Sequence, residues 1–167
     1  MPAITGIKAA IKKFTIKNML GKLTEAQIED LLKNQLIGRI GCHADGITYV
    51  VPVNYLYDGT YIYAHSGKGM KVEMMQKNPD ICFEVDDIKN ILDWQSVILW
   101  GKFEEITDLH EKEETLQKLI KRVVPFLTEE GHPSHGITAN ESDIGTEVEL
   151  VLYKIIISKK TGRFEKH

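Results

Sequence analysis

Cysteine is scarce: the 167 residues hold two, Cys42 and Cys82. Both lie in apolar runs, which favours buried reduced thiols over a disulfide or a metal pair, and a cytoplasmic location. No apolar stretch approaches the ~20 residues that span a bilayer. A signal peptide is not expected, since the first residues lack a continuous apolar core. Positive charge is also lacking: 21 Lys+Arg against 24 Asp+Glu leave a net charge of −3. That balance argues against nucleic acid as the main partner. There is no P-loop, no Ser-His-Asp arrangement, no zinc-spaced Cys/His set, no internal repeat and no low-complexity tract. What remains is one domain, 43% hydrophobic and 27% charged, with enough apolar residues for a sizeable core. Any chemistry it performs must come from a bound cofactor.

The most informative stretch is 47–85. Two alternating aromatic and β-branched runs flank Asp58-Gly59, a tight-turn dipeptide in which both positions favour positive φ. The second strand, Thr60 to His65, is expected to stop at Ser66-Gly67. A helix follows over Lys68 to Lys77 and ends at Asn78-Pro79. The junction His65-Ser66-Gly67 combines helix N–H groups, the hydroxyl of Ser66, the small residues Gly67 and Gly69, and the cation Lys71. Such a set favours an anion, and a phosphate is the predicted ligand group. On spacing alone the same residues also suit an ordinary strand–helix turn with solvated lysines. Pro52, inside Val50 to Tyr55, cannot donate to a ladder and marks an edge or bulge. Backbone groups of Val53 and Asn54 are then free to meet a planar heterocycle.

Elsewhere, residues 1–18 place Ile4, Ile7, Ile11 and Phe14 at helical spacing among lysines. This suits an arm packed on its own protein, or a basic amphipathic helix touching a surface. Thr24 to Gln27 is a capping box, and Ile28, Leu31 and Leu32 form the buried stripe of a helix ending near Asn34. Leu36 to His43 reads as a strand and Asp45-Gly46 as a turn. Residues 86–93 read as a polar connection. Trp94 to Ile106 reads as a long strand with a bend at Gly101. Asp108 and Glu111 open a helix with a stripe of Leu109, Leu116, Leu119, Ile120 and Val123. Residues 125–146 form a long loop containing His132 and His135, which suit a lid better than a metal site. Met70, Met74 and Met75 suit core packing. Glu147 to Ser158 is the last strand. The domain limits are 1–18 for the arm, 19–158 for the main domain and 159–167 for a tail.

The ordered set Ile37-Gly38-Arg39-Ile40-Gly41, Val51 to Tyr55, Tyr61 to Gly67, Lys71 and Asn78-Pro79-Asp80-Ile81-Cys82-Phe83 resembles the pyridoxamine 5′-phosphate oxidase-like FMN-binding split-barrel family. Its branch related to nitroimidazole resistance is the most similar. The resemblance implies a mainly β fold with flanking helices, a six-stranded split β-barrel, and a homodimer with FMN at the interface. Carried onto this sequence, Ser66, Gly67 and Lys71 would hold the phosphate, and Pro52, Val53, Asn54 and Tyr55 would meet the flavin rim. His65 would lie near the ring, as an orienting group or proton relay, or simply cap the turn. Trp94 and Ser96 would reach the partner's flavin or pack the barrel. The end of the chain, Ile155 to Arg163, lacks the basic segment with which true pyridoxamine phosphate oxidases bind their substrate. The expected activity is an FMN-dependent oxidoreductase reducing a small electron acceptor, such as a nitro compound, with NAD(P)H as a donor. The alternatives are a non-catalytic FMN-storing or sensing protein and a haem-handling relative of the barrel.

Overall fold

Local signals set the element boundaries. The computed structural model describes residues 19–126 and 150–166. In chain order the elements are β1 (Met19–Lys22), α1 (Glu25–Asn34), β2 (Ile37–Ala44), β3 (Ile47–Tyr57), β4 (Tyr61–Gly67), α2 (Met70–Lys77), β5 (Asp80–Asn90), β6 (Asp93–Glu105), α3 (Leu109–Val123) and β7 (Leu150–Lys166). Helix α1 starts at a reciprocal box: the Gln27 N–H donates to the Thr24 hydroxyl and the Thr24 N–H donates to the Gln27 side-chain oxygen. Ile28, Leu31 and Leu32 are buried, as the stripe predicts. No helix of the described residues is long and apolar enough to cross a membrane.

Six strands close a ring in the order β7-β4-β3-β2-β5-β6, with β6 returning to β7. Every pairing is antiparallel. This is the expected six-stranded split barrel. The short β1 adds a seventh strand, which pairs Met19–Lys22 with the end of β7. Inside the ring, Ile40, Phe83, Val85, Val97, Leu99, Tyr153 and Ile155 are fully enclosed. Helix α1 contributes Ile28, Leu31 and Leu32 to this core, and α2 contributes Val72 and Met75. Helix α3 covers the outer face of β3, β4 and β7, where Leu119 packs with Tyr63, Leu152 and Leu56.

Several expectations are corrected. Residues 86–93 are not a connection but the far half of the β5–β6 hairpin, which turns at Ile91-Leu92. Asp86 is paired across strands with Arg39, which donates to it at 2.7 Å and to Glu84 at 3.0 Å. Polar composition therefore concealed a solvated strand face. The tail from Lys159 is the second half of β7, held by β1 on one edge and β6 on the other, so the barrel extends through Lys166. Asp45-Gly46 is the tight two-residue turn, with φ of 52° and 77°. At Asp58-Gly59 only the glycine has positive φ. There the Asp58 carboxylate accepts from the N–H groups of Thr60 and Tyr61, both at 2.8 Å, so a side-chain-stapled loop replaces the tight turn. Leu109 is 81% exposed, and Thr115 takes the buried place beside Leu119. Met74 and Met75 are core, but Met70 is 49% exposed.

The bend at Gly101 is present as a register shift between Trp100 and Gly101 against β7. Glycine is required there by close approach: a Cβ would lie 2.4 Å from the Ile156 carbonyl oxygen. The arm 1–18, the loop histidines His132 and His135, and the predicted start of the last strand at Glu147 lie outside the described residues.

Candidate functional site

The ring is split at one place. Strand β3 pairs with β2 from Asn54 down to Ile47. Its pairing with β4 covers Tyr55 to Tyr57 and stops at Tyr55 opposite Ala64. Strand β4 continues past that point through His65, Ser66 and Gly67, held on its other edge by Leu152, Val151 and Leu150 of β7. The two strands therefore diverge, and their facing edges leave the ladder together.

Antiparallel alternation says which backbone groups face the gap. The Tyr55 N–H donates to Leu36 at 3.2 Å, on the β2 side, so the N–H and C=O of Asn54 and the C=O of Pro52 point toward β4. The Asp58 N–H donates to the Tyr61 carbonyl, so the odd residues of β4 face β3, which puts His65 and Gly67 on the opposite rim. Proline at position 52 removes one donor that would otherwise point into the gap. The result is an edge with carbonyls at 52 and 54 and an N–H at 54. That edge is complementary to a planar ring bearing donors and acceptors on its rim.

A cavity of about 330 Å³ fills the gap, lined by Ile37, Pro52, Val53, Asn54, His65, Ser66, Gly67 and Lys71. Its size falls within the range of small-molecule sites. Pro52, Val53 and Asn54 of β3, His65, Ser66 and Gly67 of β4 and Lys71 of α2 thus line one cavity together. Tyr55 does not line the cavity; its ring is core, and its hydroxyl donates to the Leu32 carbonyl at 2.8 Å. Ile37 was not anticipated from the sequence. Its only signal is its position opposite Asn54 in the β2–β3 register. The strand–helix junction is also displaced: Ser66 and Gly67 belong to β4, and the helix is capped by Gly69 with its first residue at Met70.

The electrostatics of the cavity are cationic. Lys71 is half-buried at its wall. Burial depresses its ammonium below the ordinary lysine range, with the nearby Cys42 opposing that shift. Among the described residues no carboxylate pairs with Lys71. A half-buried cation without an anion is costly. Placed beside the Ser66 hydroxyl, the strand-end amides and the first turn of α2, it suits a phosphate from outside the chain. Trp94 and Ser96 are elsewhere, on β6. The Trp94 indole donates to Glu165 at 3.1 Å and the Ser96 hydroxyl donates to Glu84 at 2.9 Å.

Comparison with known proteins bears on this geometry. The sequence pattern of the pyridoxamine 5′-phosphate oxidase family matches residues 24–153. An uncharacterised protein of Rhizobium meliloti (strain 1021) is 29% identical over 70 residues, 42% of this chain and 46% of that protein. The match therefore spans about half the length of that relative. Among solved structures, an FAD-binding protein from Mesorhizobium loti superposes with a TM-score of 0.69 at 27% identity, covering 87% of this chain and 98% of that one. A structure assigned to 5-nitroimidazole antibiotic resistance, from Bacteroides thetaiotaomicron, superposes with a TM-score of 0.66 at 20% identity, covering 90% of each chain, and shares the fold. With its closed six-strand ring and the family pattern running from α1 into β7, the chain belongs to the pyridoxamine 5′-phosphate oxidase-like split-barrel family.

Proposed function

We propose that the chain is a flavoprotein oxidoreductase that binds FMN in the β3–β4 gap and reduces a small electron acceptor, such as a nitro compound, with NAD(P)H as donor. The observation that carries this reading is the half-buried Lys71, which meets no carboxylate among the described residues and faces a cavity whose opposite rim is the backbone of Pro52 and Asn54 beyond the β3–β4 ladder. One end of the cavity suits an anion and the other a heterocycle. A flavin mononucleotide joins those two chemistries in one molecule, and bound there it supplies hydride and one-electron transfer.

The chain's own residues do the rest. Lys71, Ser66 and Gly67 hold the phosphate by charge-assisted and backbone hydrogen bonds. The strand edge at Pro52 and Asn54 orients the ring, with Val53 beside it in the cavity wall. The imidazole of His65 stands at the rim, where it orients a substrate or moves a proton. A twin subunit covers the open side, and its Trp94 and Ser96 approach this cofactor. The outer face of β2, β3, β5 and β6 supports such a partner. Ile37 and Val50 are 55% and 60% exposed there, beside a hollow walled by Gly41, Cys82 and Trp100. The free thiols of Cys42 and Cys82 are consistent with a cytoplasmic location.

The absorption spectrum of the purified protein is the first test, followed by steady-state turnover with NAD(P)H and a nitroaromatic. A flavin spectrum with turnover is expected. Flavin bound tightly but never reduced would assign storage or sensing instead. A colourless protein that takes up no added flavin would refute the reading.

A further inference from the structure

Strand pairing carries one row of side chains across an end of the sheet. Leu20 of β1 stands opposite Glu165 of β7, Glu165 opposite Trp94 of β6, and Trp94 opposite Ile88 of β5. Directly opposed residues of antiparallel strands share a face, and the Trp94 indole, which donates to Glu165, shows the middle of the row in contact. The two ends of the row are bare: Leu20 is 64% exposed and Ile88 65%. Ile91, at the hairpin turn beside them, is 85% exposed. Single exposed aliphatic residues are ordinary, but three of them about a half-buried tryptophan mark an interaction surface.

The chain itself supplies a match. Residues 1–18 enter the fold at Met19, so they arrive one residue from this row. Their stripe of Ile4, Ile7, Ile11 and Phe14 has helical spacing. As a helix, the stripe from 4 to 14 is about 15 Å long. The row crosses the gaps between four strands, a span of about 14 Å. Residues 15–18 reach about 13 Å when extended, enough to turn the stripe back over the row. Charge agrees with this placement. Lys8, Lys12, Lys13 and Lys17 surround the stripe, while Asp86, Asp87 and Asp93 outnumber Lys89 at the hairpin end.

We infer that residues 4–14 seat as an amphipathic helix on Leu20, Trp94, Ile88 and Ile91 of their own chain. A helix of this length is marginal alone in water, so it forms as it docks. The short tether of residues 15–18 sets a millimolar effective concentration, which keeps even a weak contact closed. Seated there, the helix covers one face of Trp94 and is carried with it toward any partner that this end of the hairpin reaches. The inference stands apart from the flavin reading, because it rests on a different face and needs no cofactor.

The test is hydrogen exchange of the full-length chain, read by mass spectrometry beside a free peptide of residues 1–18. Amides of 4–14 are expected to exchange at least about tenfold more slowly in the chain than in the peptide. Ile88→Asp and Ile91→Asp, at exposed positions outside the core, are expected to abolish that protection while amides of β2 and β6 keep theirs. Ile11→Asp in the arm is expected to do the same, and to shift the emission of Trp94 to the red in a Trp100→Phe background. Exchange as fast as that of the peptide would overturn the inference, as would protection indifferent to both hairpin variants. Protection that fades on dilution also overturns it and assigns the row to a second copy. Protection that appears only with anionic vesicles overturns it in favour of a membrane surface.

Discussion

Replacing Lys71 by methionine separates a binding cation from a structural one. The side chain is half-buried, its stem packs against the wall of the cavity, and no carboxylate among the described residues meets its ammonium. Methionine keeps the stem and removes the charge. The phosphate would lose a charge-assisted hydrogen bond of about 1.5–3 kcal/mol, which is a fall of about 10- to 150-fold in flavin affinity. Stability of the flavin-free protein should move the other way. Burial lowers the folded-state pKa of Lys71, so the fold carries a desolvation cost wherever the ammonium is charged. That cost is fully present at neutral pH and is relieved as pH rises from the depressed folded value toward 10.5, the ordinary value. Lys71→Met should therefore unfold at a higher denaturant concentration than the native sequence at pH 7, and lose the native protein's gain in stability at alkaline pH. Fluorescence titration with flavin and urea unfolding at several pH values measure both effects. Unchanged flavin affinity would move the phosphate away from Lys71. A less stable flavin-free variant would make Lys71 a structural residue and refute the reasoning.

Three further outcomes follow from the packing. Gly101→Ala places a methyl 2.4 Å from the Ile156 carbonyl oxygen, a backbone atom that cannot swing away, and should cost about 1–3 kcal/mol in urea unfolding; a neutral result would show that the β6–β7 register shift is soft. The Arg122 guanidinium donates to the carbonyls of Lys33 and Gln35 at 2.6 and 2.7 Å, at the C-terminal end of α1. Arg122→Met should lower stability by about 1.5–3 kcal/mol and loosen amide protection in α1 before that of β5 and β6. Burial alone would raise the Glu29 carboxyl, but hydrogen bonds from Lys160 and Tyr57 bring it below 4.5, its ordinary value. A carboxylate lowered in the fold stabilises above its unfolded pKa and loses that contribution as pH falls through the folded value. Glu29→Gln should therefore flatten the acid limb of a stability–pH profile below about pH 5, with an unaltered limb counting against the network.

The parts of the site that could be read from the sequence are those with local causes. Proline at 52 cannot donate to a ladder, Ser66-Gly67 ends an alternating run, and Lys71 lies in the first turn of the helix that follows. Each of these fixes a backbone state or a charge without reference to distant chain. Errors arose where the deciding partner is remote. Asp86 and Asp87 resemble a loop until Arg39 and Gln95 stand across from them. Lys159 to Lys166 resembles a tail until β1 and β6 pair with it. The Asp58 turn is a local exception: its own carboxylate staples the amides of Thr60 and Tyr61 and overrides the tight turn that the dipeptide favours. Leu109 fits the helical stripe but stands at the first position of α3, beyond the surface that the helix covers.

The sequence by itself determined the central strands β2, β3 and β4, the capped starts of α1 and α3 and the residues with chemistry to offer, because alternation, capping and proline act over a few residues. Only the tertiary structure decided that β3 and β4 part at Tyr55 and Ala64 while each keeps its other neighbour. That parting is a competition between ladders formed by residues far apart in the chain. It leaves the edges of 52–54 and 65–67 facing one another across a cavity instead of across hydrogen bonds, and so turns two ordinary strand ends and one lysine into a binding site.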